Sequence, residues 1–253
     1  MDALTFLGVL LAALAVTGGQ YLHGGEISSL LNLPAFLIVF GGSIGAVMLQ
    51  TPLRIFKRAL AIFHWVIIPP IIPFQSAIEE VELWSRQARK AGILSLEDEI
   101  ENQSDPFISK CLQLLVTGCD THTIRRVMET ELDTMQTREL SAAHVFESMG
   151  GYCPTIGILG AVLGLVHVMR NLADPSELGV GIAVAFIATI YGVALANLFF
   201  LPIANKLKNQ IDKEIRYHEM VLEGILSIAE SDHPQMIALR LNSYVHPLER
   251  GSS

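Results

Sequence analysis

Charged residues are scarce in this chain, and their scarcity limits the kind of protein it can be. Asp, Glu, Lys and Arg make up 17% of the 253 residues, against about 25% in an average soluble domain, and the mean hydropathy is +0.46. Basic residues are in the minority, with 17 Lys and Arg against 25 Asp and Glu. The resulting net charge of −8 excludes a nucleic-acid partner, because phosphate binding needs an excess of Lys and Arg. We therefore expect a membrane protein.

Cysteines and common catalytic motifs are also lacking. Three cysteines are too few for a disulfide-rich scaffold. The sequence contains no Walker loop, no His-Glu-x-x-His and no Cys-x-x-Cys. Its eight histidines include no pair at metal-ligand spacing with a third donor nearby. We therefore predict that the chain is not an enzyme and carries no metal or other cofactor.

Long uncharged runs take the place of the missing charges. Residues 3–25, 27–53, 149–169 and 178–205 contain no Asp, Glu, Lys or Arg. A helix needs about 20 mostly apolar residues to cross a bilayer core, and a helix lets an open chain pair all its backbone groups there. We predict an all-α integral membrane protein with four transmembrane helices, here named spans one to four, near 3–20, 33–51, 149–170 and 178–203.

Basic residues are distributed unevenly between the segments that join these spans. Ten lie in segment 51–148 and six in the tail 204–253, whereas the turns 21–32 and 171–177 have none. Lys and Arg next to membrane helices stay on the cytoplasmic side. The sequence therefore predicts a transmembrane hairpin (1–51), a helical cytoplasmic domain (52–148), a second hairpin (149–203) and a helical cytoplasmic tail (204–253). Both termini are then expected in the cytoplasm.

Cap and stop signals predict the helices of the cytoplasmic parts. Gly92 is expected to end a first helix, Ser95 to open a capping box for a second, and Asp105 to cap a third. From Asp120 a long helix is expected to run directly into span three. Segment 59–74, which holds three prolines, is expected to continue as a helix from span two and then to lie at the membrane interface.

The spans carry many small residues and no charge in their middle. Gly160 and Gly164 form a GxxxG pair in span three, and span four is also rich in Gly and Ala. Small residues let helix backbones approach closely in lipid, so we expect packing between spans three and four, onto another subunit, or both. Ion pathways through lipid generally use a carboxylate. If this chain conducts ions, a partner must supply that carboxylate.

Two hydroxyls and two prolines are the remaining candidates in the spans. Thr155 and Thr189 could offer oxygens to an ion, although a membrane threonine often donates to the carbonyl four residues earlier, here that of Ala185. Pro154 and Pro202 are expected at the same level near the cytoplasmic ends of their spans, and each frees a carbonyl four residues back. They indicate either ordinary helix ends or a paired hinge.

Three stretches have a recognisable pattern: 154–166 in span three, 181–206 in and after span four, and 88–97 in the cytoplasmic domain. Together they resemble the flagellar motor stator A-subunits of the MotA/PomA family. The resemblance covers nearly the whole chain, including the order of spans and domains. It implies a pentamer of this chain around a dimer of a MotB/PomB-type B-subunit, which supplies a membrane Asp and a peptidoglycan-binding domain. It also implies a location in the bacterial inner membrane.

The resemblance assigns roles to individual residues. In such proteins the prolines matching Pro154 and Pro202 are implicated in coupling ion flow to conformational change. The charges matching Arg89, Lys90 and Glu97 contact the rotor protein FliG. Without the resemblance, we would interpret these three residues as solvated surface charges. The expected function is an ion-driven torque generator. Its alternatives are an ExbB/TolQ-type energiser of outer-membrane processes, whose relatives have three spans, and a membrane scaffold that conducts nothing.

The identity of the ion follows from a comparison with sodium-driven and proton-driven members. Thr189 matches a threonine that both groups share, whereas Ala161 stands where sodium-driven members carry a threonine. Sodium must exchange its hydration oxygens for protein oxygens, so the missing hydroxyl favours H⁺ over Na⁺. Thr155, also in span three, could still offer an oxygen to sodium.

Overall fold

The computed structural model describes residues 3–22, 24–170 and 175–245, and this part of the chain contains helices and turns but no strand. The α-helices are Ala3–Leu22, Leu33–Phe36, Gly42–Gln50, Leu53–Ile62, Phe74–Ala91, Glu97–Asn102, Pro106–Val116, Thr121–Arg170, Pro175–Ala194, Leu201–Ala229 and Pro234–Leu241. Short 3₁₀ helices are Ile27–Leu30, Phe63–Val66 and Ile93–Leu96, and π-helical turns are Leu37–Gly41 and Leu195–Phe200. Residues 171–174 of the predicted turn and 246–253 of the predicted tail lie outside the described residues.

Four helical stretches are long and apolar enough to cross a membrane, which confirms the predicted all-α membrane fold. The chain forms two compact units. The first consists of Met1–Pro69 and Glu139–Asn209, and the second of Pro70–Arg138 and Gln210–Ser253. Because these units are defined by contacts within the chain, the predicted membrane boundaries after residues 51, 148 and 203 stay predictions.

Most of the predicted helix ends agree with the structure. Gly92 has a φ of 87° and ends the helix Phe74–Ala91, since glycine adopts a left-handed conformation without a Cβ clash. The Asp105 carboxylate accepts the Phe107 backbone N–H at 2.8 Å, as a helix cap should. The helix Thr121–Arg170 runs without interruption into span three.

Two local predictions were wrong. Span two ends at Gln50, and Thr51 is extended with φ −106° and ψ 126°, so the next helix is a separate one. The cause is Pro52, because a proline disfavours the helical conformation in the residue before it. Ser95 does not cap a helix either: its hydroxyl donates to the Gly92 carbonyl at 2.7 Å, inside a 3₁₀ turn that leads directly into the helix Glu97–Asn102.

The second unit has an apolar core of its own. Its fully buried side chains come from every major helix of the unit and include Leu96, Leu112, Leu115, Ile124, Met128, Ile225, Leu226 and Ile237. Gly224 lets Val81 and Leu241 approach, because a methyl group there would lie 2.7 Å from a Val81 methyl. This core holds the turn with Arg89, Lys90 and Glu97 on a folded helical support.

Candidate ion pathway and rotor surface

Spans three and four pack through glycine and alanine. A methyl group added at Gly157 would lie 2.9 Å from the Ala188 carbonyl oxygen, and one added at Gly192 would lie 2.6 Å from a carbonyl oxygen of span three. Gly164 faces Ala185 at similarly short range. These small residues therefore serve packing within one chain. The outward faces of both spans carry large exposed apolar side chains instead, among them Ile158, Leu159, Val162, Leu163, Ile182, Phe186 and Ile190.

Ala161 and Thr189 lie on one side of this helix pair. Gly160 faces Ala188, and Gly164 faces a residue earlier in span four, so the two helices are antiparallel. Each residue of an α-helix is turned by about 100° from the one before it. When two helices are antiparallel, this turn carries the residue after a contact position to the same side of the pair on both helices. The structure thus brings Ala161 and Thr189, both half-buried, to a shared side, which we name the Thr189 side.

The Thr189 side faces away from span two. Tyr191, two residues further along, is turned about 200° from Thr189. The Tyr191 hydroxyl donates to the Leu30 carbonyl and accepts the Asn32 backbone N–H at 3.0 Å. Asn32 caps the start of span two, so span two lies on the Tyr191 side of span four. A methyl group on Gly160 would lie 3.0 Å from Ala188 and 3.3 Å from Ile38 of span two, so Thr189 is about level with Ile38. Within this chain, span two does not cover the Thr189 side.

The two candidate hydroxyls face different directions. The Thr189 hydroxyl donates to the Ala185 carbonyl at 3.4 Å, which is long for an O–H···O bond. The Thr155 hydroxyl donates to the Tyr152 carbonyl at 2.9 Å. Thr155 is exposed and, two residues before Gly157, is turned about 200° away from span four. The structure therefore does not bring Thr155 to the Thr189 side.

The two prolines differ in level by about one helical turn. A methyl group on Gly150 would lie 2.7 Å from the Leu201 side chain, so Pro202 is level with Gly150, one turn before Pro154. Pro154 lies inside a continuous helix, and Pro202 follows the π-helical turn Leu195–Phe200. The expectation of equal level was thus wrong by about one helical turn, which is more than the single residue that a π-helical turn inserts. Such turns are frequent at functional sites.

Arg89, Lys90 and Glu97 lie on the two sides of one exposed turn. Arg89 and Lys90 belong to the last turn of their helix, where the helix dipole favours cations, and Glu97 begins the following helix. Gln87 closes the turn by donating to the Ser95 carbonyl at 2.6 Å. The three charged side chains are exposed, and within the described residues they form no ion pair. They are therefore accessible to a partner protein.

A buried His–Asp pair in the second unit was not predicted. His218 Nε2 lies 2.9 Å from Asp105 Oδ2, and the histidine side chain is 5% exposed. Burial by itself would raise the pKa of Asp105, but the hydrogen bond and charge of His218 and the Phe107 and Ile108 amides bring it below 3.8. The sequence identified Asp105 only as a cap, since 113 residues separate it from His218.

A second unpredicted ion pair lies in the first unit. Arg58 Nε lies 2.7 Å from Glu139 Oε2, and the glutamate side chain is 4% exposed. The Arg58 guanidinium also lies over the Trp65 ring, 5.5 Å from its centre. The pair joins the helix Leu53–Ile62 to the long helix just before span three. A glutamate on the apolar stripe of that helix was the signal available in the sequence.

The described residues contain neither a metal-ligand cluster nor an accessible nucleophile elbow. They contain no group of three His, Cys, Asp or Glu that could hold a metal ion. Gly41 to Gly45 has the Gly-x-Ser-x-Gly spacing of a hydrolase nucleophile elbow. It lies inside span two, however, where Ser43 is buried and donates to the Val39 carbonyl at 2.7 Å. This serine serves helix packing.

Two family models match the chain. One, described as Motility protein A N-terminal, matches residues 6–71; the other, described as the MotA/TolQ/ExbB proton channel family, matches residues 99–220. The chain is 34% identical to motility protein A of Bacillus subtilis over 99% of this chain and 93% of the relative. It is 37% identical to motility protein A of Aquifex aeolicus over 94% of both chains.

Two solved structures share the fold over nearly the full length. The structure of C. jejuni MotAB matches with a TM-score of 0.93 and 28% identity, covering 100% of this chain and 99% of that chain. The flagellar MotAB stator complex from Bacillus subtilis matches with a TM-score of 0.84 and 33% identity, covering 97% of both chains.

Proposed function

Because the chain belongs to the motility protein A branch of the MotA/TolQ/ExbB proton channel family, we propose that it is the ion-conducting A-subunit of a bacterial flagellar stator. The subunit converts ion flow into torque on the rotor. The observation that carries this conclusion is the full-length structural agreement with MotAB, at a TM-score of 0.93. Its four apolar spans agree with a stator subunit in the inner membrane, and the distribution of Lys and Arg supports cytoplasmic termini.

The partner is a MotB/PomB-type B-subunit, which supplies the acid that the spans lack. The middle of each span contains no Asp or Glu, and ion passage through lipid generally needs one. The Thr189 side faces away from span two, so it supports an approach of the B-subunit from there. A pentamer around a B-subunit dimer is the assembly that the family resemblance implies.

Coupling of ion flow to movement is assigned to Pro154 and Pro202. Leu201 packs over Gly150, whose carbonyl is the one that Pro154 leaves without its usual helical donor. A charge that crosses the membrane field releases about 2.3 kcal/mol per 100 mV. Since about 1.4 kcal/mol shifts a two-state equilibrium tenfold, one ion is sufficient to bias this contact between two arrangements.

Delivery of the step to the rotor protein FliG is assigned to Arg89, Lys90 and Glu97. Their exposure supports this role, because charges that are already paired would have to be released before they bind a partner. Contacts of this kind weaken with salt, whose screening length is about 8 Å at physiological ionic strength. Because these contacts depend on charge, reversing one of the three charges should reduce torque.

The transported ion is H⁺. A sodium path needs several oxygens around the carboxylate, and the Thr189 side offers the hydroxyl of Thr189 opposite the methyl of Ala161. Thr155, the threonine of span three, faces away from that side. A proton needs a titrating acid and water, which this arrangement permits. The proposal includes no enzymatic activity and no bound cofactor.

Deletion of the gene separates the stator from its alternatives. The stator predicts cells that assemble normal flagella but do not swim, and restoration of swimming by a plasmid copy. An ExbB/TolQ-type energiser predicts intact swimming with failed outer-membrane import, and a non-conducting scaffold predicts no change in either. Either of the last two results would overturn the proposal.

A further inference from the structure

The helix Leu53–Ile62 has apolar residues on two opposite faces. Ala59 and Ile62 are buried against the first unit, with 1% and 0% exposure. On the other face, Leu53 and Leu60 are 65% and 61% exposed. Contacts among the residues that the structure describes explain the first face only. The second face needs another apolar environment.

Two unpaired cations lie beside the exposed leucines. Arg54 and Lys57 are turned by about 100° and 40° from Leu53 on the helix surface. Both are exposed, and neither makes an ion pair with any residue that the structure describes. Arg58 differs from them because it is bound to Glu139. The exposed face therefore combines an apolar edge with a cationic edge.

The helix begins directly beside a membrane span. Span two ends at Gln50, and only Thr51 and Pro52 separate it from Leu53. After the helix come Trp65, which is half-buried, and Ile68, which is 63% exposed. Basic residues with neighbouring apolar and Trp side chains are typical of helices that lie in the interface of a bilayer.

We propose that the exposed face of the helix Leu53–Ile62 is a binding site for an anionic phospholipid, with Arg54 and Lys57 on the headgroup phosphate and Leu53 and Leu60 in the acyl boundary. Charge complementarity selects this occupant, because an anionic headgroup offers the net negative charge that two unpaired cations attract and a zwitterionic one does not. The inference rests on the membrane location of the chain and is independent of torque generation.

Trp65 provides a local probe for this site. The chain has two tryptophans, and the other, Trp84, is 2% exposed in the core of the second unit. The complex with its B-subunit is reconstituted into phosphatidylcholine vesicles that contain a minor fraction of phosphatidylglycerol. Two preparations are made: in one the phosphatidylglycerol carries brominated acyl chains, and in the other the phosphatidylcholine does. Brominated chains quench tryptophan fluorescence on contact. A Trp65→Phe complex gives the background signal from Trp84 and the partner.

Brominated phosphatidylglycerol should quench Trp65 at a much lower mole fraction than brominated phosphatidylcholine. Each cation near an anionic surface strengthens binding about fivefold, so the double variant Arg54→Gln, Lys57→Gln should need about 25 times more phosphatidylglycerol for half-maximal quenching. The matched control Arg126→Gln, Arg216→Gln removes two exposed cations from the second unit and should quench like the wild type.

A charge-preserving exchange, Arg54→Lys with Lys57→Arg, guards against a folding defect and should keep the preference. In the wild type, added salt should reduce the preference, because screening weakens exposed charge pairs. Equal quenching by the two lipids would overturn the proposal. So would a glutamine variant that assembles and retains the full preference, which would mean that another subunit covers this face.

Discussion

Gly192 is the position in the second hairpin where a single methyl group should do the most damage. Its Cα faces the backbone of span three, and an added Cβ would lie 2.6 Å from the Cys153 carbonyl oxygen, 3.0 Å from the Gly157 Cα and 3.2 Å from the Pro154 Cα. All three neighbours are backbone atoms, so no side-chain rotation can relieve the overlap. Gly192→Ala therefore forces the two helices apart.

The magnitude follows from these distances. The carbon–oxygen contact has to lengthen to about 3.3 Å, and a radial gap of about 0.5–1 Å forfeits a quarter to a half of the dispersion energy along the glycine faces. Overpacking of this kind costs about 3 kcal/mol where nothing can yield. Alanine returns about 1 kcal/mol of helix propensity. A net loss of about 2 kcal/mol should lower the melting temperature by about 4–8 °C.

The assay is thermal unfolding of the purified complex with its B-subunit, followed by tryptophan fluorescence. Gly151→Ala is the matched control, because it adds the same methyl group to the helix of span three where no atom lies within 4 Å. The double variant Gly157→Ala, Gly192→Ala should lose less than the sum of its parts, since both methyl groups require the same separation of the helices.

Two results would refute this reasoning. If Gly192→Ala melts at the wild-type temperature, the two spans are not packed as tightly as the backbone distances require. If Gly157→Ala and Gly192→Ala are additive, the two positions do not share one contact. The same variants also test function, because a wider gap beside Pro154 should lower swimming speed before it lowers membrane abundance.

Four further predictions concern other parts of the molecule. Reversing the charge of Arg89 or Glu97 should reduce torque, measured as swimming speed, while immunoblots show unchanged abundance in the membrane. Complementary charge reversals on FliG should restore part of the speed. Loss of the protein from the membrane would instead indicate a structural role. Swimming should collapse with a protonophore and be indifferent to external sodium, and strict sodium dependence with protonophore resistance at alkaline pH would contradict the assignment of H⁺. Asp105→Asn keeps a good helix cap but removes the charge beside a buried histidine, so it should lower the free energy of unfolding by about 1 kcal/mol, and Asp105→Ala should cost about 1 kcal/mol more. Because folding lowers the pKa of Asp105, the difference between wild type and Asp105→Asn should be full at neutral pH. It should shrink as the pH falls below the pKa of the unfolded carboxyl and disappear as the pH passes the lower pKa of the folded state; a difference that persists in stronger acid would speak against the charge. Arg58→Gln should destabilise the complex by about 1–3 kcal/mol in thermal unfolding, more than Glu139→Gln, since the carboxylate that stays behind is 4% exposed and the guanidinium is 37% exposed. The reverse order would show that burial does not set the cost.

The amino-acid sequence by itself determined the spans and most helix ends, because both depend on interactions between residues close together in the chain. Uncharged runs of about 20 residues have no stable place in water, and this holds whatever the rest of the chain does. Gly92 ended its helix and Asp105 capped the next as predicted, because a cap needs only its own backbone and the following turn. The break at Pro52 also follows from a local rule, since a proline disfavours the helical conformation in the residue before it. The prediction of a continuous helix was wrong at this point.

Only the tertiary structure decided which side of each helix serves which purpose. Helical periodicity indicates that Thr189 and Tyr191 face different directions, but it does not indicate that Tyr191 faces the turn before span two. It identifies a glutamate on an apolar stripe, but not its partner Arg58, which lies 81 residues away. The glycines of spans three and four likewise suited either an intrachain or an intersubunit contact. Such choices depend on contacts between distant segments, and those contacts form only when the whole unit has packed.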